Sequence, residues 1–394
     1  MHVGHHSHET AVSAVNYKVV ASTSTMRLSR LEAEPVAFDP LQEDCLRLVL
    51  ASMQREHTAL TDAAAVQRLA NAFRTDPASL IHRDRDRSFH LVAKATELVD
   101  YRIPMLADDA EIDHLAEQAE NYLREAVELD RNNWDAARML AAMDAPTNDA
   151  YVSYLLDNRE AVERDAAALG ERATDPYERE FAGDLGQRPY LRWLAALASR
   201  ALIAGQYRLS LSYAEESLAQ APQDPAGVRH TAMLAMAKLE VDPAELKSFR
   251  TRHAAAYQPT APQGRRHLNA ERELDAWSLI AEMNLAYRAL DYPGATRALR
   301  ILMRTYPHAA ETLFYQSEFP DGLFGRVNAE PGSADELVLA LSEATPLLQE
   351  GMGAPEDASF SVWIAEHELV QSNLDSRIAR AQAQMERAHR GGEN

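Results

Sequence analysis

The sequence closest to a catalytic motif lies near the end of the chain. The run 367–371 reads His-Glu-Leu-Val-Gln and differs by one residue from a zinc-protease signature. In that signature two histidines four residues apart on a helix bind the metal, and the glutamate acts as general base. Gln371 stands where the second histidine is needed. We therefore expect an ordinary helix here and no metalloprotease site.

Other catalytic patterns are fragments. The run 82–84 reads His-Arg-Asp, as in the catalytic loop of protein kinases, but the glycine-rich phosphate loop and a later Asp-Phe-Gly are missing. The chain also lacks a Gly-x-Ser-x-Gly elbow and a phosphate-binding glycine loop. We interpret the alternating charges of 82–87 as ion pairs at a helix start. The sequence predicts no catalytic residue and no cofactor. An active site could then only be one that is assembled from residues far apart in the sequence.

Metal-binding side chains are also poorly placed. His2, His5, His6 and His8 could hold a metal ion together, although such a cluster is more typical of a flexible, solvated terminus. The remaining histidines show no ligand spacing. Cys45 is the only cysteine, so neither an internal disulfide nor a cysteine-based zinc site can form. We predict no metal site.

The charge of the chain limits its partners. Its 394 residues include 40 Lys and Arg against 60 Asp and Glu, which gives a net charge of −20. Such a chain repels phosphates, so the sequence argues against nucleic-acid binding. No apolar run approaches the roughly 20 residues of a membrane helix, and no signal-peptide pattern is visible. We expect a cytoplasmic protein that does not enter membranes.

The elements that must position any site are helices. Apolar residues recur every three or four positions, glycine is scarce at 15 residues, and strand patterns are almost absent. The sequence predicts an all-α fold. We expect a flexible leader at 1–35, an N-terminal helical region at 36–110, helical repeats at 111–310, a C-terminal loop with capping helices at 311–374, and a tail at 375–394.

A pair of short helices recurs along the chain at a fixed step. Ala198 and Ser210 are small residues that we expect to face each other across one pair, and they return as Ala232 and Ala244. Small side chains at such positions let two antiparallel helices approach closely. A third copy begins at Ala276, after an insertion that we place in the loop-like segment 258–269.

The step between the copies resembles that of tetratricopeptide repeats, helix–turn–helix units of about 34 residues that stack into a superhelix. The runs 187–192 and 221–229 are also similar to segments of the tetratricopeptide-like suppressor-of-tumorigenicity-seven family and its bacterial relatives. The resemblance covers roughly 175–310. It implies a right-handed TPR-like α-solenoid, with irregular N-terminal helices and a C-terminal helical cap, that serves as a scaffold.

In such a superhelix the first helices of the repeats line a concave groove that binds a peptide or a partner helix. Our candidate groove residues are Arg192, Arg229, Trp277 and Asn284. The set of cations that clamps a carboxylate tail in chaperone-binding members is incomplete here, so we do not expect that kind of partner. The alternative is that the two arginines form ion pairs within the fold and that Trp277 packs in the core.

Two C-terminal segments complete the prediction. The loop Phe319–Arg326 mixes aromatic residues with Pro and Gly, and we favour a hydrophobic plug over a contact surface. Ser359–Leu374 is predicted to be one amphipathic helix that caps the last repeat.

The function that these features favour is a non-enzymatic adaptor that binds a protein or peptide partner in its groove. The negative charge favours a basic or apolar partner. Two alternatives stay open, an all-α enzyme whose site is not visible as a motif and a self-associating structural subunit. The oligomeric state is not predicted.

Overall fold

The computed structural model describes residues 40–103, 106, 108–171, 176–257, 274–316, 329, 332–349 and 359–374. All regular structure in these residues is helical, which confirms the all-α prediction for this part of the chain. The leader 1–35 with its histidine cluster, the loop Phe319–Arg326 and the tail 375–394 lie outside the described residues.

Seventeen α-helices are described. They are α1 Pro40–Arg55, α2 Ala63–Thr75, α3 Asp84–Thr96, α4 Asp109–Leu129, α5 Trp134–Asp144, α6 Asn148–Glu171, α7 Pro176–Ile203, α8 Tyr207–Gln220, α9 Val228–Lys238, α10 Pro243–Arg252, α11 Ala276–Arg288, α12 Tyr292–Thr305, α13 Ala309–Phe314, α14 Ala334–Glu343, α15 Thr345–Leu348, α16 Ser359–Glu366 and α17 Glu368–Gln371. Short 3-10 turns occupy Pro77–Leu80 and Ala254–Tyr257, and a π-helical turn, Glu97–Arg102, follows α3. None of the described helices offers an apolar stretch long enough to cross a lipid bilayer.

Helix starts follow capping chemistry that is visible in the sequence. Pro40 opens α1, where its missing N–H costs nothing. Ser333 caps α14 by accepting the N–H of Glu336 at 3.1 Å. The carboxylate of Glu336 returns to the backbone N–H of Gly332 rather than to the cap residue itself, at 2.5 Å. Its other oxygen accepts the hydroxyl of Tyr306 at 3.1 Å, which ties the start of α14 to the end of α12.

The helices α7, α9 and α11 end in the same way. Gly205, Glu240 and Leu290 close them with positive φ angles of 75°, 52° and 59°. The next backbone N–H then donates to the carbonyl five residues earlier, at 2.8, 3.3 and 2.8 Å respectively. This Schellman turn satisfies free carbonyls and sends the chain directly into the following helix. Only the first of the three is a glycine, so the recurrence is hidden in the sequence.

The helices α7, α8, α9, α11 and α12 pack in chain order and share one apolar core with the C-terminal helices. Ala198 and Ala232, which are one repeat step apart, have no exposed surface and lie in this core. Ser210 on α8 is also buried, but its counterpart Ala244 on α10 is exposed. Because α10 instead contacts α11 and the 3-10 turn that follows it, the second helix pair is looser than the sequence predicts.

The C-terminal helices pack back on the repeats. The helix α14 contacts α11, α15 contacts α9, and both α16 and α17 contact α13. Our prediction of one helix over Ser359–Leu374 is wrong, because the chain breaks at His367. The Nδ1 atom of that residue accepts the N–H of Leu369 at 3.1 Å and caps α17, while its Nε2 atom lies 3.0 Å from the Thr296 hydroxyl. The imidazole of the incomplete zinc motif therefore serves as a helix cap.

Candidate functional site

Arg192, the first predicted groove residue, is buried between two carboxylates. Its Nε atom donates to Asp135 Oδ1 at 2.7 Å, and its Nη1 atom donates to Glu43 Oε2 at 2.5 Å. A second hydrogen bond reaches each carboxylate from Nη2. None of the three side chains exposes more than 1 % of its surface. Arg192 therefore joins α1, α5 and α7 from inside, and its surface is not accessible to a partner.

The charges of this network hold one another ionised. Burial alone would raise the pKa of Glu43, but Arg192 and Arg47 outweigh it, so that this pKa lies below its ordinary value. Arg47 also bonds Glu43 directly at 2.6 Å. Arg138 also lies 3.7 Å from Asp135, so three arginines surround the two carboxylates of Glu43 and Asp135. Such pairing is the condition for keeping charged groups inside a protein.

Arg47 also makes a hydrogen bond to the backbone of α7, near a proline inside that helix. Pro189 has no N–H, so the carbonyl of Leu185 four residues earlier loses its helical partner. The Nη2 atom of Arg47 donates to that carbonyl at 2.6 Å. The guanidinium also lies 4.3 Å from the centre of the Phe89 ring. A side chain of α1 therefore completes the hydrogen bonding of α7.

Two of the other predicted residues form a second polar cluster at the start of α11. Arg229 donates from Nη1 to Asp224 Oδ2 at 3.0 Å and keeps about a quarter of its side chain exposed. Trp277 stacks on His230, with ring centres 3.9 Å apart, and its Nε1 donates to Glu343 Oε2 at 2.5 Å. Arg229 thus forms an ion pair within the fold and Trp277 packs in the core, which are the contacts that we named as the alternative to a groove. A role in partner binding stays a prediction.

The second cluster also contains paired charges, since Arg229 binds Asp224 and His230 lies 3.7 Å from Asp275, but one of its carboxyls behaves differently. Burial raises the pKa of Glu343 to about 8, against a smaller opposite effect of the Trp277 N–H. Asn284 lies two turns after Trp277 on α11, is 1 % exposed, and has no hydrogen-bond partner at Oδ1 within the described structure. Shifted and unsatisfied groups of this kind are found both in functional sites and in structural networks.

The faces on which we expected the groove are covered by the chain itself. Most residues of α9 and α11 are buried, because these helices pack on each other and on their neighbours in the repeats, and because α15 also packs on α9 and α14 on α11. The bond between Trp277 and Glu343 is part of this contact, since Glu343 is the last residue of α14. The N-terminal half of α7, in contrast, borders an open space.

That space is a cleft of about 430 Å³ between α1, the start of α3, the α4–α5 turn, α6 and α7. Gly186 and Pro189 form the α7 side, and the aromatic rings of Phe89 and Trp134 contribute to the wall. Asp135 also belongs to the wall, so the buried Arg192 network lies directly behind it. The charged side chains of the wall are Asp44, Arg47, Arg83, Arg85, Asp86, Asp130, Asp135 and Asp165.

Asp44 is the most unusual residue of the cleft. Its side chain is 2 % exposed, and Oδ2 lies 2.7 Å from His90 Nδ1. The other oxygen, Oδ1, is buried without any hydrogen-bond partner in the described part of the chain. Burial raises the pKa of the Asp44 carboxyl above its ordinary value, although the bond to His90 acts in the opposite direction. A buried acceptor that is left unsatisfied costs free energy, which a donor entering the cleft would recover.

Sequence reasoning found Arg192 but missed Glu43, Asp44 and Asp135. The spacing of Glu43 and Arg47 signals an ion pair on one helix, yet the contact from Glu43 to Arg192 spans 149 residues. No periodicity within one sequence reports a pairing at that separation. In the described residues no three His, Cys, Asp or Glu side chains are grouped so that they could hold a metal ion.

Comparison with known proteins identifies no relative, since no family model matches the chain and neither the curated proteins nor the solved structures contain a match.

Proposed function

We propose that this chain is a non-enzymatic helical-repeat scaffold, a right-handed TPR-like α-solenoid with a C-terminal helical cap, that binds a segment of a protein partner. The segment enters the cleft between α1, α3, α5, α6 and α7. The observation that carries this proposal is the cleft itself, whose wall combines acidic and aromatic side chains.

The repeat part of the proposal is supported by two recurrences. Ala198 and Ala232 are both buried and stand one repeat step apart, and the three first helices end in the same Schellman turn. The exposed Ala244 is a departure, so we base the repeat on the first helices and on the pairs α7–α8 and α11–α12.

The partner chemistry follows from charge. A net charge of −20 favours a basic or apolar segment and disfavours nucleic acid. Because α14 and α15 cover α11 and α9, we propose the cleft beside α7 as the partner site in place of a groove along all three first helices.

Site-specific photo-crosslinking tests the location. A benzoylphenylalanine at Gln54, an exposed residue of the cleft wall, is expected to crosslink a partner in the cell that makes the protein. The same group at Lys247, which is exposed on α10, is the matched control and should give no such product. A product common to both positions, or none at Gln54, would contradict the proposal.

An enzymatic function is the second candidate, and one observation favours it. The contact of 2.7 Å between Asp44 and His90 is the arrangement in which a carboxylate orients an imidazole base. It ranks second because His90 itself is not part of the cleft wall. A hydrolytic activity toward p-nitrophenyl esters that disappears in His90→Gln, and not in the exposed-histidine control His114→Gln, would favour the enzyme.

A further inference from the structure

We propose that the cleft binds an arginine side chain of the partner segment, with the carboxylates of Asp44 and Asp165 as its acceptors. This inference rests on the proposed function, because it assigns the chemical group of the partner that enters the cleft. It is carried by the pairing of charges around the cleft, by the unsatisfied oxygen of Asp44, and by the aromatic wall.

The charges of the wall do not cancel. Five aspartates face three arginines, and each arginine is already engaged. The pairs are Arg47 with Glu43 at 2.6 Å, Arg83 with Asp86 at 2.7 Å, and Arg85 with Asp130 at 3.6 Å. Asp135 is bound by Arg192. Within the described residues Asp44 and Asp165 form no ion pair with an arginine or lysine, and Asp44 contacts only the imidazole of His90, at 2.7 Å. The wall therefore keeps an excess of negative charge.

Asp44 supplies an acceptor that the fold does not use. Its Oδ2 atom contacts His90, whereas Oδ1 has no partner although the side chain is only 2 % exposed. The Oδ1 atom is covered in this structure, so a donor reaches the carboxyl only when the group turns about its terminal torsion, which is broad in aspartate. The turn gives up the contact of Oδ2 with His90, and the bond to the entering cation must replace it. A cationic donor would satisfy the oxygen and compensate the buried charge together.

Asp165 and Trp134 form the opposite part of the site, on α6 and α5. The indole Nε1 donates to Asp165 Oδ2 at 2.9 Å, which is a neutral hydrogen bond and leaves the carboxylate charge uncompensated. Trp134 also belongs to the wall of the cleft, and Phe89, another ring of the wall, already carries the guanidinium of Arg47 on its face. Flat cations bind well to such rings.

These features select arginine over lysine. A guanidinium is planar and more weakly hydrated than an ammonium, so it enters a partly buried aromatic cleft at lower cost. Its several N–H donors can also serve two carboxylates at once. An ammonium is a compact, strongly hydrated charge, and it gains less from a wall of rings.

Binding of a defined peptide to the full chain tests the inference. The probe is acetyl-Gly-Ala-Arg-Ala-Gly-amide, compared with the same peptide carrying citrulline, the neutral analogue of arginine, or lysine. The chain contains four tryptophans, so 5-fluorotryptophan labelling gives resolved reporters. We expect the arginine peptide to shift the Trp134 resonance and to leave Trp277 unchanged. The citrulline peptide should bind about tenfold more weakly or worse, and the lysine peptide should fall between the two.

Two variants and a control assign the acceptors. Asp44→Asn and Asp165→Asn each keep the side-chain size, and each should weaken arginine binding about tenfold. Asp113→Asn, an exposed carboxylate on α4, changes net charge by the same amount and should leave the affinity unchanged. Circular dichroism shows whether each variant folds. If Asp44→Asn does not, the affinity of Asp165→Asn alone tests whether the cleft carboxylates bind arginine, because Asp165 is less buried and its variant is expected to fold.

Each outcome bears on one of the two proposals. Equal binding of the citrulline or lysine peptide, or an unchanged affinity in Asp165→Asn, overturns the arginine assignment. If a partner nevertheless crosslinks at Gln54, the scaffold function stands and only its arginine chemistry falls. If the arginine peptide binds as expected but no partner crosslinks at Gln54, the cleft site stands and the scaffold function falls.

Discussion

The helix α7 makes one contact through buried charged side chains and another through small and apolar ones. Near its middle, α7 meets α1 and α5 through Arg192 and its partners Glu43 and Asp135, which are charged and fully buried. Its C-terminal half meets α8 and α9 through apolar and small residues such as Ala198 and Ala232. The charged contact requires every member to be present, because a lone buried charge is costly, whereas the small-residue contact requires only that nothing larger be inserted.

The largest expected effect comes from breaking the charged contact. Arg192→Met leaves Glu43 and Asp135 buried without their shared partner and should lower the free energy of unfolding by about 3–5 kcal/mol. Urea unfolding followed by circular dichroism measures it. The matched control adds Glu43→Gln and Asp135→Asn to Arg192→Met, and this triple variant should recover most of the loss. A single variant as stable as the parent would show that the network contributes little.

A smaller effect is expected from filling the small-residue contact. Ala232→Leu inserts three carbons where no surface is exposed, and overpacking of this kind costs about 1–3 kcal/mol. Ala244→Leu, the same substitution on α10, is the control, because Ala244 is exposed and the change should stay within about 0.5 kcal/mol. Equal losses at both positions in thermal unfolding would mean that α10 packs as tightly as α9.

Two buried glutamates, Glu43 in the charged contact and Glu343 at the end of α14, should differ in the sign of the pH dependence that they give to stability. The pKa of Glu43 is lowered by folding, so the stability it contributes is present above pH 4.5 and is lost as the pH falls below that value. Glu343 behaves oppositely. Its pKa rises from 4.5 to about 8, so the unfolded chain releases this proton first, and stability falls as the pH rises from about 4.5 to 8.

Urea unfolding of Glu343→Gln at pH 5 and pH 8 checks the second half of this expectation. The variant should lose less stability than the parent between the two pH values, because it carries no proton to release. Glu245→Gln, which removes an exposed carboxylate of α10, is the control and should keep the pH dependence of the parent. If the parent is equally stable at both pH values, the raised pKa of Glu343 is refuted.

The smallest expected effect is on stability, and it should have opposite signs at two of the Schellman turns. Leu290 has φ of 59° and is 70 % exposed, so Leu290→Gly should gain about 0.5–1 kcal/mol from released backbone strain. Gly205→Ala at the equivalent position should lose about 1 kcal/mol, since an added Cβ meets nothing closer than 3.9 Å and only the φ of 75° opposes it. Thermal unfolding measures both, and changes of the same sign would contradict the equivalence of the turns.

Local patterns in the sequence were sufficient for much of the fold. Apolar periodicity predicts the helices, Ser333 predicts its cap, and the repeat step predicts the burial of Ala198 and Ala232. These features depend on residues within one helix pair and its neighbour. The break at His367 was missed because a histidine rarely caps a helix, and the position of α10 because it depends on which neighbour offers the better packing.

The candidate site was much less predictable. Arg192 was singled out as a groove residue, but it binds Asp135 and Glu43, which lie 57 and 149 residues away in the sequence. These bonds bury its side chain, so that it holds helices together and does not face a partner. Asp44 offered no signal, because an acidic residue in the first turn of a helix is ordinary. What makes Asp44 unusual is its burial, which arises only when α1 and α3 are brought together.

The hydrogen bond from Arg47 to Leu185 has a consequence for the order in which the protein is made. Arg47 leaves the ribosome 138 residues before the carbonyl that it completes, and Glu43 precedes Arg192 by 149. During this interval the apolar residues of α1 can already pack on α2 and α3, but its charged residues Glu43 and Arg47 lack their contacts with α7. The N-terminal helices therefore cannot complete their buried charge network on the nascent chain until α7 has emerged.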